Sequence, residues 1–220
     1  MIFDMHVHTL HSPRCGWMKP ERLIEQAKEK GLDGLAVTDH NTIDGAREVL
    51  DIVRDEQMEL SVIIGEEIST DRGEVLAYFI CREIEPGSFV EVLTEIRRAG
   101  GISAIPHPFD KLRHHAVRLT REDVGLFDCI EGFNARCLSK TYNDLAYNFG
   151  KEYDLAITAG SDAHFLNEVG NGGIISGLED IREAIMEKDM SIYGHRSMII
   201  NHAGTKILKL GRRIRSYLDE

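Results

Sequence analysis

His6 and His8 stand two residues apart in IFDMHVHT, close to the start of the chain. In an extended strand, side chains at i and i+2 share a face, so both imidazoles would project together, with Asp4 beside them. A solvent-facing edge strand would also carry such a pair, so the other polar residues must decide its meaning. Asp39 and His40 end GLAVTDH, Glu66 and Glu67 end LSVIIGEE, and His107 ends AIPH. Glu131, with Asn134 just beyond, ends CIEGFN, and Asp162 and His164 end AITAGSDAH. Six separate apolar runs thus terminate in His, Asp or Glu. Scattered surface histidines would show no preference for strand ends, and histidines filling core gaps would not bring so many carboxylates.

Imidazole nitrogens mixed with carboxylate oxygens suit Zn²⁺, Mn²⁺ or Fe²⁺. The donors exceed what one four-coordinate ion takes, which points to two or three divalent ions with a bridging carboxylate. Such ions acidify water to hydroxide at neutral pH and neutralise the charge of a phosphate and of its transition state. Other chemistries lack their residues: there is no GxSxG elbow, no P-loop and no dinucleotide fingerprint. Cys129 reads as a buried spectator thiol.

The elements that must position these groups alternate. IFDMHVH, GLAVTDH, LSVIIGEEIS, EVLAYFI, GISAIPHP, CIEGFNA and LAITAGSDAH read as strands. PERLIEQAKEKG reads as a helix with Pro20 in its first turn, Leu23, Ile24 and Ala27 on one side, and Gly31 as its stop. IDGAREVLDIVRDEQ, SFVEVLTEIRRAGG, LSKTYNDLAYNFG, LEDIREAIMEK and TKILKLGRRIRSYL are further helices. The third of these six carries a capping box, Ser88 with Glu91 three residues on. Strands alternating with helices predict parallel βα units, and a parallel barrel gathers all the strand ends on one face. The long irregular stretch FDKLRHHAVRLTRED, residues 109–123, carries the cations Lys111, Arg113, His114, His115 and Arg118. A loop that leaves a ligand can cover the site and clamp phosphate through charge-assisted bonds; a solvated charge run is the plain alternative. Arg136 is a similar candidate.

The chain has 220 residues, 42% of them hydrophobic and 29% charged, which suits a single globular domain over 1–220. A net charge of −11 argues against broad nucleic-acid binding, though bound cations can reverse the sign locally. Cys15, Cys81, Cys129 and Cys137 form no CxxC pair, so free thiols in a reducing compartment are expected. There is no basic leader and no apolar stretch of membrane-spanning length, so the expected home is the cytoplasm, with no membrane partner. Oligomeric state is open. The basic residues of RRIRSYL read as complements to a helix C-terminus.

FDMHVHT, AVTDHNT, IIGEEIS, AIPHP and GSDAH, in that order and spacing, closely resemble the PHP family, named for polymerase and histidinol phosphatase. The resemblance runs from residue 1 to about residue 165. It implies a distorted seven-stranded (β/α) barrel of the TIM-like kind, with the site at the C-terminal ends of the strands. It also implies two or three Zn, Mn or Fe ions and hydrolysis of phosphate esters. Carried over, His6, His8 and Asp162 hold one ion, and Glu67 bridges it to a second, since the family pattern Gly-x-Glu-Ile-Ser spans Gly65 to Ser69. His107 binds the second ion with help from Glu131. His40 and His164 serve a third ion or face the substrate. His40 is the expected catalytic group, with Asp39 orienting it or capping the next helix, and Asp4 orients a ligand histidine. Glu66 reads as a surface residue. Where the family usually offers an Asp or His after HxHT, this chain has Pro13 and Arg14. Cys15 or His11 would substitute, or Arg14 would hold a substrate phosphate there.

The resemblance thus implies a small phosphorylated substrate, with nucleotides among the candidates. Two other classes stay open: a non-catalytic barrel binding RNA or a partner, like a ribonuclease P protein subunit, and a C–N hydrolase like the amidohydrolase barrels. The first would lack the ligand set and carry a basic face. The second would favour a lysine at a strand end, and none stands there.

Overall fold

The computed structural model describes residues 1–13, 15–113 and 115–206. Nine strands form one sheet: β1 (Ile2–Val7), β2 (Gly34–Val37), β3 (Ser61–Thr70), β4 (Gly73–Tyr78), β5 (Ile102–Ile105), β6 (Cys129–Asn134), β7 (Ala156–Gly160), β8 (Gly172–Ile175) and β9 (Ser191–Gly194). Their order is β7-β6-β5-β4-β3-β2-β1-β8-β9. Among the described residues, five helices accompany them: α1 (Pro20–Glu29), α2 (Asp44–Asp55), α3 (Phe89–Arg98), α4 (Lys140–Glu152) and α5 (Ile181–Glu187). Residues 199–206 are also helical. No helix among the described residues is long and apolar enough to cross a membrane.

The sheet curls into a nearly closed α/β barrel. The lower half of β1 pairs with antiparallel β8, Ile2 opposite Ile175. Its upper half meets the chain just past β7: Asp162 N donates to His6 O at 2.7 Å and His8 N to Ala163 O at 3.0 Å. Gly160 makes that approach possible, since a Cβ there would lie 2.3 Å from His6 Cβ.

Helix amphipathicity builds the outer layer. α1 begins at Pro20 and buries Leu23, Ile24 and Ala27. With Ala46 and Val49 of α2, these pack on Leu35 and Val37 of β2. α3 has the predicted capping box on Ser88 and Glu91, of a kind worth about 1 kcal/mol.

The all-parallel expectation needs correcting. β4 runs antiparallel to both β3 and β5, as the return arm of a long hairpin. β3 overshoots the barrel, so Glu66 and Glu67 lie within the strand and not at its end. Glu67 is nonetheless level with the end of β2, because it bridges to His40. The short strands β8 and β9 are additions to the expected seven.

β1 also breaks phase. One extra residue separates the Asp4–Leu35 pair from the Val7–Val37 pair. Phe3 and Met5 therefore pack in one cluster with Ala36, whereas Val7 packs in another against α1. This bulge re-aims the strand between its apolar base and its histidines. Asp4 consequently parts from His6 and His8. Its carboxylate accepts from Ser161 N at 2.9 Å, Gly170 N at 2.9 Å and His6 N at 3.3 Å, stitching the seam. Burial outweighs these bonds and raises Asp4 to about 6.

Candidate metal centre

His6 and His8 leave the bulged end of β1 with their Nε2 atoms 3.1 Å apart. Asp162, just past β7, brings Oδ1 to 3.3 Å from His8 Nε2. Glu67 lies at the centre. Its Oε2 is 3.4 Å from His8 Nε2 and 3.0 Å from His40 Nδ1, and its Oε1 is 3.2 Å from His107 Nε2. A carboxylate whose two oxygens face different histidines is suited to bridge two cations. Three overlapping trios, His6–His8–Glu67, His8–His40–His164 and His40–Glu67–Glu74, each bring their ligand atoms within 4.8 Å of one another. These donors fit divalent cations.

Nearby polar groups aim these donors. Glu131 Oε1 faces His6 Nδ1 at 2.9 Å, and its Oε2 accepts from His107 N at 2.6 Å and Asn134 Nδ2 at 2.9 Å. Glu131, expected as a ligand, thus stands behind His6 and takes the proton of Nδ1, which turns Nε2 toward the cluster. Ser12 does the same for His8. It donates to Asp39 at 2.7 Å, so it accepts from His8 Nδ1 at 3.1 Å. His164 Nδ1 donates to Asp162 O at 2.8 Å. A second bulge, between Glu131 and Phe133 in β6, puts both Glu131 and Asn134 in reach of the site.

The cluster is electrostatically tense. Burial would lower His6, yet Glu131, Asp162 and Glu67 hold it well above the usual imidazole range. Burial would raise Glu67, but His40, His6 and a bond from His107 hold it well below the carboxylate range. Burial would also raise Asp162, and Arg113 and His6 hold it well below. Glu74 goes the other way, pushed well above by burial and by the charge of Glu67. Burial, His8 and Arg136 push His164 well below its usual range. Divalent cations are natural partners for such a crowd of carboxylates and imidazoles.

The remaining candidates separate. Arg113 enters the site: Nη1 reaches Asp162 Oδ2 at 2.7 Å and Nη2 donates to Asn134 Oδ1 at 3.2 Å. Asp110 braces it at 3.3 Å, and the loop is tied to β4 by Glu74 N donating to His115 O at 2.9 Å. Lys111 is exposed on the same loop. Arg14 and His114 lie outside the described residues. His11 is engaged by Glu48, while buried Cys15 lines a cavity of about 490 Å³ with His40, Asn41, Ser69 and Glu74.

Three further expectations are corrected. Asp39 neither caps α2, whose N-cap is Ile43, nor bonds the His40 ring. Its oxygens are taken by Thr9 N, Thr9 Oγ1 and Ser12 Oγ, and Ser12 in turn accepts from His40 N. Arg136 is buried and bound to Glu168 and Thr205, not to the site mouth. Glu66 is fully buried, not on the surface. Glu74 escaped sequence reasoning, though the TDRG turn between two apolar runs signalled a hairpin that pairs it with Ser69.

The comparisons with known proteins agree with this geometry. The family model described as PHP domain matches residues 4–218. The chain is 34% identical over 180 residues to the uncharacterized protein MJ0417 of Methanocaldococcus jannaschii, covering 79% of this chain and 70% of that one. It is 36% identical over 70 residues to the 5'-3' exoribonuclease Rnm of Escherichia coli, covering 32% of this chain and 23% of that one. A two-domain protein of Bacteroides vulgatus, containing a predicted PHP-like metal-dependent phosphoesterase, superposes with a TM-score of 0.71 at 19% identity. That match covers 89% of this chain and 65% of the longer protein. With its fold, its histidine–carboxylate cluster and these matches together, the chain belongs to the PHP domain family.

Proposed function

We propose that the chain is a metal-dependent phosphoesterase acting on a small phosphorylated substrate, a nucleotide being the favoured class. The observation that carries this reading is the convergence of three ligand trios on one rim, two of histidine and carboxylate and one of three histidines, with the guanidinium of Arg113 set among them. Divalent ions held there would activate water and neutralise the phosphate. The protein's own part is positioning. Glu131, Ser12 and the carbonyl of Asp162 fix the tautomers of His6, His8 and His164, so the Nε2 lone pairs face inward. Arg113 offers a planar two-donor fork that can exchange Asp162 for a phosphate oxygen. Its braces on Asp110 and Asn134 keep it at the site. The cavity beside His40 and Glu74 gives the leaving group a place to lie. Support for a nucleotide comes from the partial match to an exoribonuclease.

The test is inorganic phosphate release from a panel of monoesters, including histidinol phosphate, mononucleotides and 3′,5′-bisphosphonucleotides, with added Mn²⁺. Release that EDTA and His8→Ala both abolish is the expected result. Release that survives both overturns the reading.

A further inference from the structure

One buried charge pair takes no part in the steps above. Arg136 and Glu168 are 5% and 0% exposed, and Arg136 Nη1 donates to Glu168 Oε2 at 2.9 Å. The same oxygen accepts the backbone N–H of His164 at 3.0 Å and of Phe165 at 3.2 Å. At the other end of the fork, Nη2 donates to Thr205 Oγ1 at 2.9 Å, and Thr205 donates to Asn201 O at 3.1 Å. Residues 201 and 205 belong to the helical stretch 199–206. That stretch is amphipathic in the reverse sense. Asn201 and Thr205 face inward at 8% and 6% exposure, whereas Ile199 and Ile200 face out at 75% and 71%. Within the described stretch, the buried side chains of Asn201 and Thr205 make polar contacts.

We infer that the C-terminal helix is a working part of the metal centre: through Thr205, Arg136 and Glu168 it fixes the backbone of His164, and so completes the His8–His40–His164 trio. The geometry leaves His164 few other supports. Its ring is tied to Asp162 O, two residues back, and its centroid is 4.5 Å from that of His8. The direction of that ring therefore follows the turn in which it sits, and Glu168 holds two amides of that turn. Glu168 in turn depends on Arg136, because a buried carboxylate left without its cation is strongly disfavoured. The helix packs on the same turn elsewhere. Asn167 Nδ2 donates to Asn201 Oδ1 at 3.4 Å, and a Cβ on Gly204 would lie 2.9 Å from the Phe165 ring. Arg136 is thus a positioning residue. The inference rests on the metal-centre reading, but not on which ester is cleaved.

The experiment compares wild type, Arg136→Met and Thr205→Val with Arg72→Met, which breaks a different ion pair, to Asp123. Each is equilibrated with Mn²⁺ or Co²⁺. Metal per chain is counted by elemental mass spectrometry, and the Co²⁺ absorption spectrum and melting temperature are recorded. Arg136→Met is expected to bind one class of ion roughly 10- to 100-fold more weakly, with an altered Co²⁺ spectrum. Thr205→Val should shift in the same direction by less, and Arg72→Met should melt lower with unchanged metal uptake. If Arg136→Met fails to fold, the near-isosteric Thr205→Val carries the test. Variants that take up metal as wild type does overturn the inference, even if they melt lower. Wild type that takes up no metal overturns the metal-centre reading together with this one.

Discussion

Two sets of buried carboxylates lie side by side in this barrel and are satisfied in opposite ways. Asp39 accepts from Thr9 N at 2.7 Å, Thr9 Oγ1 at 2.5 Å and Ser12 Oγ at 2.7 Å, all donors within the protein. Glu67 instead faces imidazoles, those of His8, His40 and His107, while Asp162 divides its oxygens between His8 on one side and Arg113 and Asn134 on the other. Burial does not separate Asp39 from Glu67, since each is 1% exposed. What separates Asp39 from Glu67 is therefore the kind of partner, backbone and hydroxyl donors for the one and imidazoles for the other.

That contrast breaks first at Glu67. Glu67→Gln should lower kcat/KM by at least about a thousandfold in a phosphate-release assay. In chelator it should also lower the melting temperature at neutral pH, because His40, His6 and His107 hold Glu67 well below the carboxylate range and its charge therefore favours the folded state. Asp39→Ala should act through stability alone, losing about 3 kcal/mol in urea unfolding as Thr9 and Ser12 donors are left unpaired. Glu66 sharpens the comparison. It accepts one bond, from Ile84 N at 3.0 Å, and burial raises it from 4.5 to about 7. A raised acid favours the folded state below its unfolded value, and that contribution fades as pH rises through about 7. Glu66→Gln should flatten this slope and stabilise the protein above pH 8 by roughly 2–3 kcal/mol in urea titrations at several pH values. The smallest effect belongs to Arg113→Lys. A point charge cannot span Asp110, Asn134 and Asp162 together, so KM should rise about tenfold with little change in kcat.

The rim was legible because its residues recur at the ends of apolar runs, a pattern set by the period of strands. His6, His8, His40, His107, Asp162 and His164 all reach one rim for that reason. The phase change in β1 was not legible, since a bulge without glycine leaves no mark in IFDMHV, and Asp4 was read onto the wrong face. GGII and SIYG are too short to show alternation, so β8 and β9 were missed. Arg136 looked like a free cation because its partners Glu168 and Thr205 lie 32 and 69 positions away. Glu74 required recognising the antiparallel turn that folds β4 back on β3.

The seam between the first strand and the chain beyond the seventh also sets the order of events in folding. The bond from Ser161 N to Asp4 Oδ1 spans 157 positions, and Asp162 arrives at the cluster across the same junction. Pairings so distant in sequence form late, because loop closure must precede them. A refolding chain would hold His6 and His8 early but gain Asp162 and His164 only when the seam shuts. Metal capture would then mark the final step, a clock on barrel closure readable by stopped-flow with a chelating dye.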